Sequence, residues 1–264
     1  MYQLPETEIV KVTKQLASEG AAEIVIEPLL PGFGVTIGNA LRRVLLSSLG
    51  GAAITTVRFE GATHEFSTIK GVREDIVNII LNLKGARLKL EGEEGLNLTL
   101  SKKTPGPVKV SDFTPNSRAQ FVDRDYVICN LEKGGVISLE VTVEHGRGYV
   151  PTEKRGDEKQ PIGVIAIDSI FTPIRKVHYE VENTRVEGMT NFDRLTLTLE
   201  TDQTITPINA VKAAITILGD HLEHIQSQIT EPAAPKSSVK KVSSKKEKVT
   251  ASDKKKVKKI ALHA

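Results

Sequence analysis

The chain has 264 residues, with 36 Lys+Arg against 33 Asp+Glu and 39% apolar residues. The net charge of +3 conceals a split: residues 232–264 hold 11 lysines and two acids, a local +9, leaving −6 on the body that precedes them. A single cysteine excludes a disulfide framework and a Cys-based zinc site. The start, MYQLPETEIV, lacks the basic and apolar regions of a secretory signal, and no apolar run approaches the roughly 18 residues of a membrane span. A cytoplasmic protein is therefore expected.

In chain order, residues 22–29 alternate Ile24 and Ile26 with Glu23 and Glu27, the pattern of a half-buried strand. A Pro/Gly loop at 31–34 is expected to lead into a helix from about Ile37 to Leu49. Its apolar positions are Ile37, Leu41, Val44, Leu45 and Leu49, and Gly50-Gly51 stops it. Residues 53–60 read as a strand. Ser67 or Thr68 is the expected cap of a second helix, about Val72 to Lys84. From Arg87 to Ile170 the pattern is mostly β, with hairpins expected around Gly92 and Gly95 and around Gly134-Gly135. An exposed loop is expected over Thr152–Gln160, then two alternating strands, Lys176–Glu187 and Arg194–Glu200.

Thr206-Pro207 is a cap followed by proline at the first helical position. Beyond it Ile208, Val211, Ile215, Leu218, Leu222, Ile225 and Ile229 recur at alternating spacings of 3 and 4, a heptad seam that suits packing on another helix. Residues 232–264 have almost no large apolar side chain to offset ordering entropy and are expected to be disordered.

Candidate chemistry is sparse. Gly32-x-Gly34-x-x-x-Gly38 lies between a strand and a helix, where glycine-rich loops bind phosphate, but the third glycine comes one residue late for a dinucleotide fingerprint. Packing is the favoured role of these glycines; a nucleotide- or phosphate-binding enzyme built on them is the alternative. His221 and His224 flank the seam without a third ligand, and Asp168 and Asp193 read as ordinary turn aspartates. No catalytic constellation, metal site or cofactor site is expected. Arg42 and Arg43 interrupt an otherwise apolar helix, which marks either a snorkelling surface pair or an interface anchor.

Four segments, EPLLPGFGVTIGNALRRVLLSSL from Glu27, HEFSTIKGVREDIVNIILNLKG from His64, GRGYVP from Gly146 and PIGVIAIDSIFTPIRKVHYEVENTRVEG from Pro161, resemble the bacterial RNA polymerase alpha subunit in order and in register. The resemblance implies an α+β fold. A dimerisation domain of two amphipathic helices on an antiparallel sheet (1–50 and 174–231) would carry an inserted mostly-β domain (51–173). It implies a non-catalytic homodimer that nucleates polymerase assembly, one copy engaging the beta subunit and the other beta-prime. Carried over by motif, Arg43, Leu46, Lys84, His64, Glu65, Ile167 and Arg175 would face a large subunit. Ile37, Leu41, Leu45, Leu218, Leu222 and Ile225 would line the dimer interface. Where the family continues into a small helical DNA-contacting domain, this chain carries its lysine tail. Lys254, Lys255, Lys256, Lys258 and Lys259 are the expected contacts to DNA phosphates.

Overall fold

The computed structural model describes residues 10–18, 20–155, 161, 163–186 and 189–229. In chain order the elements are β1 (Lys11–Ser18), β2 (Ala21–Leu29), α1 (Phe33–Ser47), β3 (Gly50–Phe59), α2 (Ile76–Gly85), β4 (Leu88–Leu90), β5 (Leu96–Lys102), β6 (Gly106–Lys109), β7 (Ala119–Phe121), β8 (Val127–Leu131), β9 (Ile137–Arg147), β10 (Tyr149–Val150), β11 (Val164–Ala166), β12 (Ser169–Ile170), β13 (Ile174–Val186), β14 (Met189–Thr201) and α3 (Pro207–Gln228). Every strand pairing among the described residues is antiparallel, which with the three helices makes an α+β fold. No described helix is long and apolar enough to cross a membrane.

A four-stranded sheet, ordered β1-β2-β14-β13, is built from the two ends of the described chain. The alternation in β14 turns Leu195, Leu197 and Leu199 to a fully buried face, where each contributes about 1.5–3 kcal/mol relative to exposure. Ile24, Leu41, Leu45, Leu49, Val177, Ala210, Val211 and Ala214 share one cluster with Leu197 and Leu199, so α1 and α3 both cover this sheet. A larger sheet, ordered β5-β9-β3-β4-β7 with β11 on β3, organises a second cluster between Ile54 and Ile167. Within that cluster α2 buries Ile76, Ile79 and Leu83, three and four residues apart on one helical stripe.

Several expected boundaries shift. The first helix starts a turn earlier, at Phe33, because Gly32 takes a left-handed conformation (φ 85°) and the first-turn amides find an acceptor described below. The second helix starts later, at Ile76. Its cap is Asp75, which accepts from the Asn78 amide at 2.9 Å, while Val72 bridges to Leu131 and stays outside the helix. Neither expected hairpin forms. Strands β4 and β5 lie on opposite sides of the β9–β3 pair, so residues 91–95 cross over the sheet. Likewise β8 pairs with β6, and Gly135 packs on Gly71 instead of turning a hairpin: a Cβ on Gly135 would stand 2.2 Å from the Gly71 carbonyl oxygen.

The two passages of chain between the clusters run side by side. A Cβ added at Gly51 would come 2.1 Å from the Phe171 carbonyl oxygen, and backbone cannot swing away as a side chain would. At neighbouring Gly50 the nearest such atom is 3.5 Å off, an ordinary contact. Overpacking of this kind costs about 1–3 kcal/mol. Gly51→Ala is expected to lower the unfolding free energy by that order, and with it the urea midpoint, while Gly50→Ala leaves both nearly in place. Equal midpoints for the two variants would contradict the close crossing.

Candidate assembly surface

The glycine-rich entry to α1 already holds an anion supplied by the chain itself. The amides of Gly32 and Gly34 donate to Asp193 Oδ2 at 2.9 and 3.0 Å, and Asp193 is buried in β14. A carboxylate thus sits where a bound phosphate would have to lie, next to the positive end of the helix. The glycines serve close packing as well. A Cβ at Gly34 would stand 2.8 Å from Val181 Cγ1, and one at Gly38 would stand 2.7 Å from the Tyr179 ring. The structure therefore speaks against the phosphate-loop alternative and for packing.

That close approach decides which side of α1 faces outward. Gly34, Gly38, Leu41 and Leu45 point to the sheet; Arg42, Arg43 and Leu46 are exposed. Leu41 and Leu45, expected between two copies of the chain, are 2% and 0% exposed and belong to the protomer's own core. With glycines in its first two turns, α1 lies so near β13 and β14 that both leucines are covered. Ile37 is half-buried on the edge of the same cluster.

The C-terminal end of α1 lies beside Gly148, whose added Cβ would be 3.8 Å from the Ser47 carbonyl oxygen. Next in the chain, the Tyr149 hydroxyl donates to Asp168 Oδ2 at 3.0 Å. Lys84, from the last turn of α2, donates to the same oxygen at 3.2 Å, with its Nζ 5.3 Å from the Tyr149 ring centre. The Thr152 amide donates to Asp168 Oδ1 at 2.9 Å. This amide foremost, with Lys84 and Tyr149 behind it, holds the Asp168 carboxyl below the usual range despite some burial. Asp168 is thus more than a turn aspartate: it holds Lys84 and Tyr149 together, one residue along the chain from the Gly148 that lies beside the C-terminal end of α1.

Of the other expected contact residues, His64 and Glu65 are exposed on the loop that leaves the far end of β3, beside the strongly exposed Phe66. Arg175 is exposed at the start of β13. Ile167 is a correction. It is 1% exposed, with the insert core around it, so its side chain is not available to a partner.

On α3 the heptad seam separates into two uses. Of the seam, Val211 is buried on the four-stranded sheet beside the off-seam Ala210 and Ala214, and Ile208 and Leu218 are half-buried. Leu222 and Ile225, by contrast, stand 59% and 54% exposed, with Ile215 and Ile229 also open. His221 and His224 are exposed, and no group of three or more metal-capable side chains occurs among the described residues. Cys129 is buried, and burial chiefly pushes its thiol up to about 12, which leaves it protonated and unreactive. The lysines at 254–259 lie outside the described residues.

Residues 57–172, which contain α2, Lys84, Tyr149 and Asp168, match the family model described as the RNA polymerase Rpb3/RpoA insert domain. The match and the α+β architecture support an RNA polymerase subunit of the alpha/Rpb3 kind, part of a DNA-directed RNA polymerase. The outward faces of α1 and α3, described above, lie outside the matched segment.

Asp193, Asp168 and Tyr149 are the residues whose importance the sequence understates, and of them Tyr149 and Asp168 lie within the resembling segments GRGYVP and PIGVIAIDSIFTPIRKVHYEVENTRVEG. Asp193→Ala removes the acceptor for two amides, one of them buried, and should cost about 2 kcal/mol. Urea unfolding is the measurement, with Asp193→Asn recovering part of the loss through its remaining carbonyl oxygen. Wild-type stability in the alanine variant would show that the bonds contribute nothing.

Proposed function

We propose that this chain is a bacterial-type alpha subunit that carries no catalytic residues of its own. It homodimerises and offers the beta and beta-prime subunits a surface on which the polymerase assembles in the cytoplasm. The observation that carries the dimer is the divided seam of α3. Of its early members Val211 is buried in the protomer's core and Ile208 is half-buried, while Ile215, Leu222 and Ile225, at helical spacing, expose apolar surface that water does not favour. A second copy of the same stripe is self-complementary, as two-fold association requires. On this reading residues 1–50 and 174–231 form the dimerising part and 51–173 the inserted part.

The large-subunit face is proposed to run from Arg43 and Leu46 on α1 to Lys84 and Tyr149, held by Asp168. His64, Glu65 and Arg175 are its outlying members. Arginine suits a surface that must meet two different partners, because its planar fork pairs with carboxylates and with backbone carbonyls. Co-purification of beta and beta-prime with the tagged chain, read by mass spectrometry, is the direct test.

Two substitutions separate the two surfaces. Arg43→Ala should keep the dimer mass in light scattering yet recruit less large subunit. Leu222→Glu should fold, since the side chain is exposed in the protomer, but yield monomers because a charge would be buried without a partner. A Leu222→Glu dimer of unchanged mass would refute the α3 contact, and full recruitment by Arg43→Ala would refute the α1 contact.

The lysines of residues 232–264 are proposed to neutralise DNA phosphates near the polymerase without reading sequence. Each neutralised phosphate steepens the salt dependence of binding. Deleting 232–264 should flatten the slope of log affinity against log salt for the assembled core; an unaltered slope would dismiss this role.

A further inference from the structure

Where the end of α2 meets the ends of β13 and β14, a cleft of about 250 Å³ opens between the two hydrophobic clusters. Arg87, Arg175, Asp123 and Asp202 are its charged walls, and Tyr126 and Thr201 bring hydroxyls. The Arg87 guanidinium is half-buried and spends Nη1 on the Ile170 carbonyl at 3.0 Å. A guanidinium has five N–H donors. Arg175 is exposed at the mouth. Among the described residues neither arginine has a carboxylate within ion-pair distance.

The two acids of the cleft are engaged with their own turns. Asp202 Oδ1 accepts from both the amide and the hydroxyl of Thr204, and Asp123 Oδ1 accepts from the Asp125 amide at 3.0 Å. Burial, more than any charge, lowers the pKa of Arg87; Asp202 opposes the shift and Arg175 adds to it. Arginine stays charged through such shifts. The recess thus holds two guanidiniums with N–H donors left over and two carboxylates that are engaged with their own turns.

We propose that this cleft binds a phosphate-sized oxyanion between Arg87 and Arg175, either free phosphate or the phosphate group of a small phosphorylated molecule. Two guanidinium forks can engage separate oxygens of one tetrahedral anion, and the anion relieves their mutual repulsion. The Tyr126 hydroxyl supplies a neutral donor on the same wall. The volume falls below the roughly 300–1,000 Å³ of pockets that enclose drug-sized ligands, so the site takes the phosphate and leaves any attached group in solvent. This cleft is separate from the α1 entry, where Asp193 occupies the amides.

The test titrates the full chain with inorganic phosphate and with AMP at fixed ionic strength, by calorimetry. Saturable binding at one site per chain is expected, weakened at least tenfold by Arg175→Gln. That residue is exposed and caps nothing, so the variant stays informative even if Arg87→Gln, which uncaps Ile170, fails to fold. Asp202→Asn should tighten binding, because it removes a competing charge; a merely structural role would not predict a gain. Equal affinities are expected where the attached group stays in solvent; tighter phosphate than AMP identifies the free anion, and tighter AMP identifies a phosphorylated small molecule whose attached group also meets the cleft mouth. Absence of saturation, or an Arg175→Gln affinity equal to wild type, overturns the proposal.

Discussion

The buried carboxylate of Asp193 against the amides of Gly32 and Gly34 is the contact on which the placement of α1 depends. It ties the start of a helix to a strand roughly 160 residues later in the chain, and it works with the missing side chains of Gly34 and Gly38. Once the helix lies that close, the roles of its other residues follow from 3.6-residue geometry. Leu41 and Leu45 go under and Arg42, Arg43 and Leu46 stay out. A longer side chain at either glycine would push the helix off the sheet and rotate that division.

A second carboxylate does for the insert what Asp193 does for α1. Asp168 accepts from Lys84 on α2 and from Tyr149 and Thr152 on the stretch that follows β9. Lys84 is thereby fixed in place, with less freedom to lose when a partner arrives. The proposed large-subunit surface is therefore pre-organised at one end by Asp168 and at the other by the rigid α1.

Elements with strong periodicity were legible in the sequence: β2, the strands β13 and β14, and all three helices as helices. Their residues carry the 2.0 or 3.6 repeat without help from distant chain. The two- to four-residue strands β6, β7, β10, β11 and β12 are too short to show a repeat, and β1 was overlooked. Both expected hairpins rest on glycine pairs, and of these four glycines Gly135 lies hard against the Gly71 backbone, an approach that local turn chemistry cannot distinguish from a hairpin turn. Leu41 and Leu45 were assigned to the wrong face because an apolar stripe says that a side chain is covered and not by what. On α3 the stripe continues past the residues that the sheet covers, leaving Leu222 and Ile225 exposed. Asp193 and Asp168 could not be read at all, their partners lying 159 to 161 and up to 84 residues away in sequence.

The near-contact of Gly51 with the Phe171 carbonyl means that the segment between them begins and ends at almost one point in space. Such a segment behaves as a single appended loop as far as the rest of the chain is concerned. Its closure entropy depends only logarithmically on its length. Insertions or deletions inside it, even large ones, therefore need not disturb the sheet that carries α1 and α3. The junction works as a splice point, at which a lineage can enlarge, trim or exchange one half of the molecule while the other half keeps its geometry.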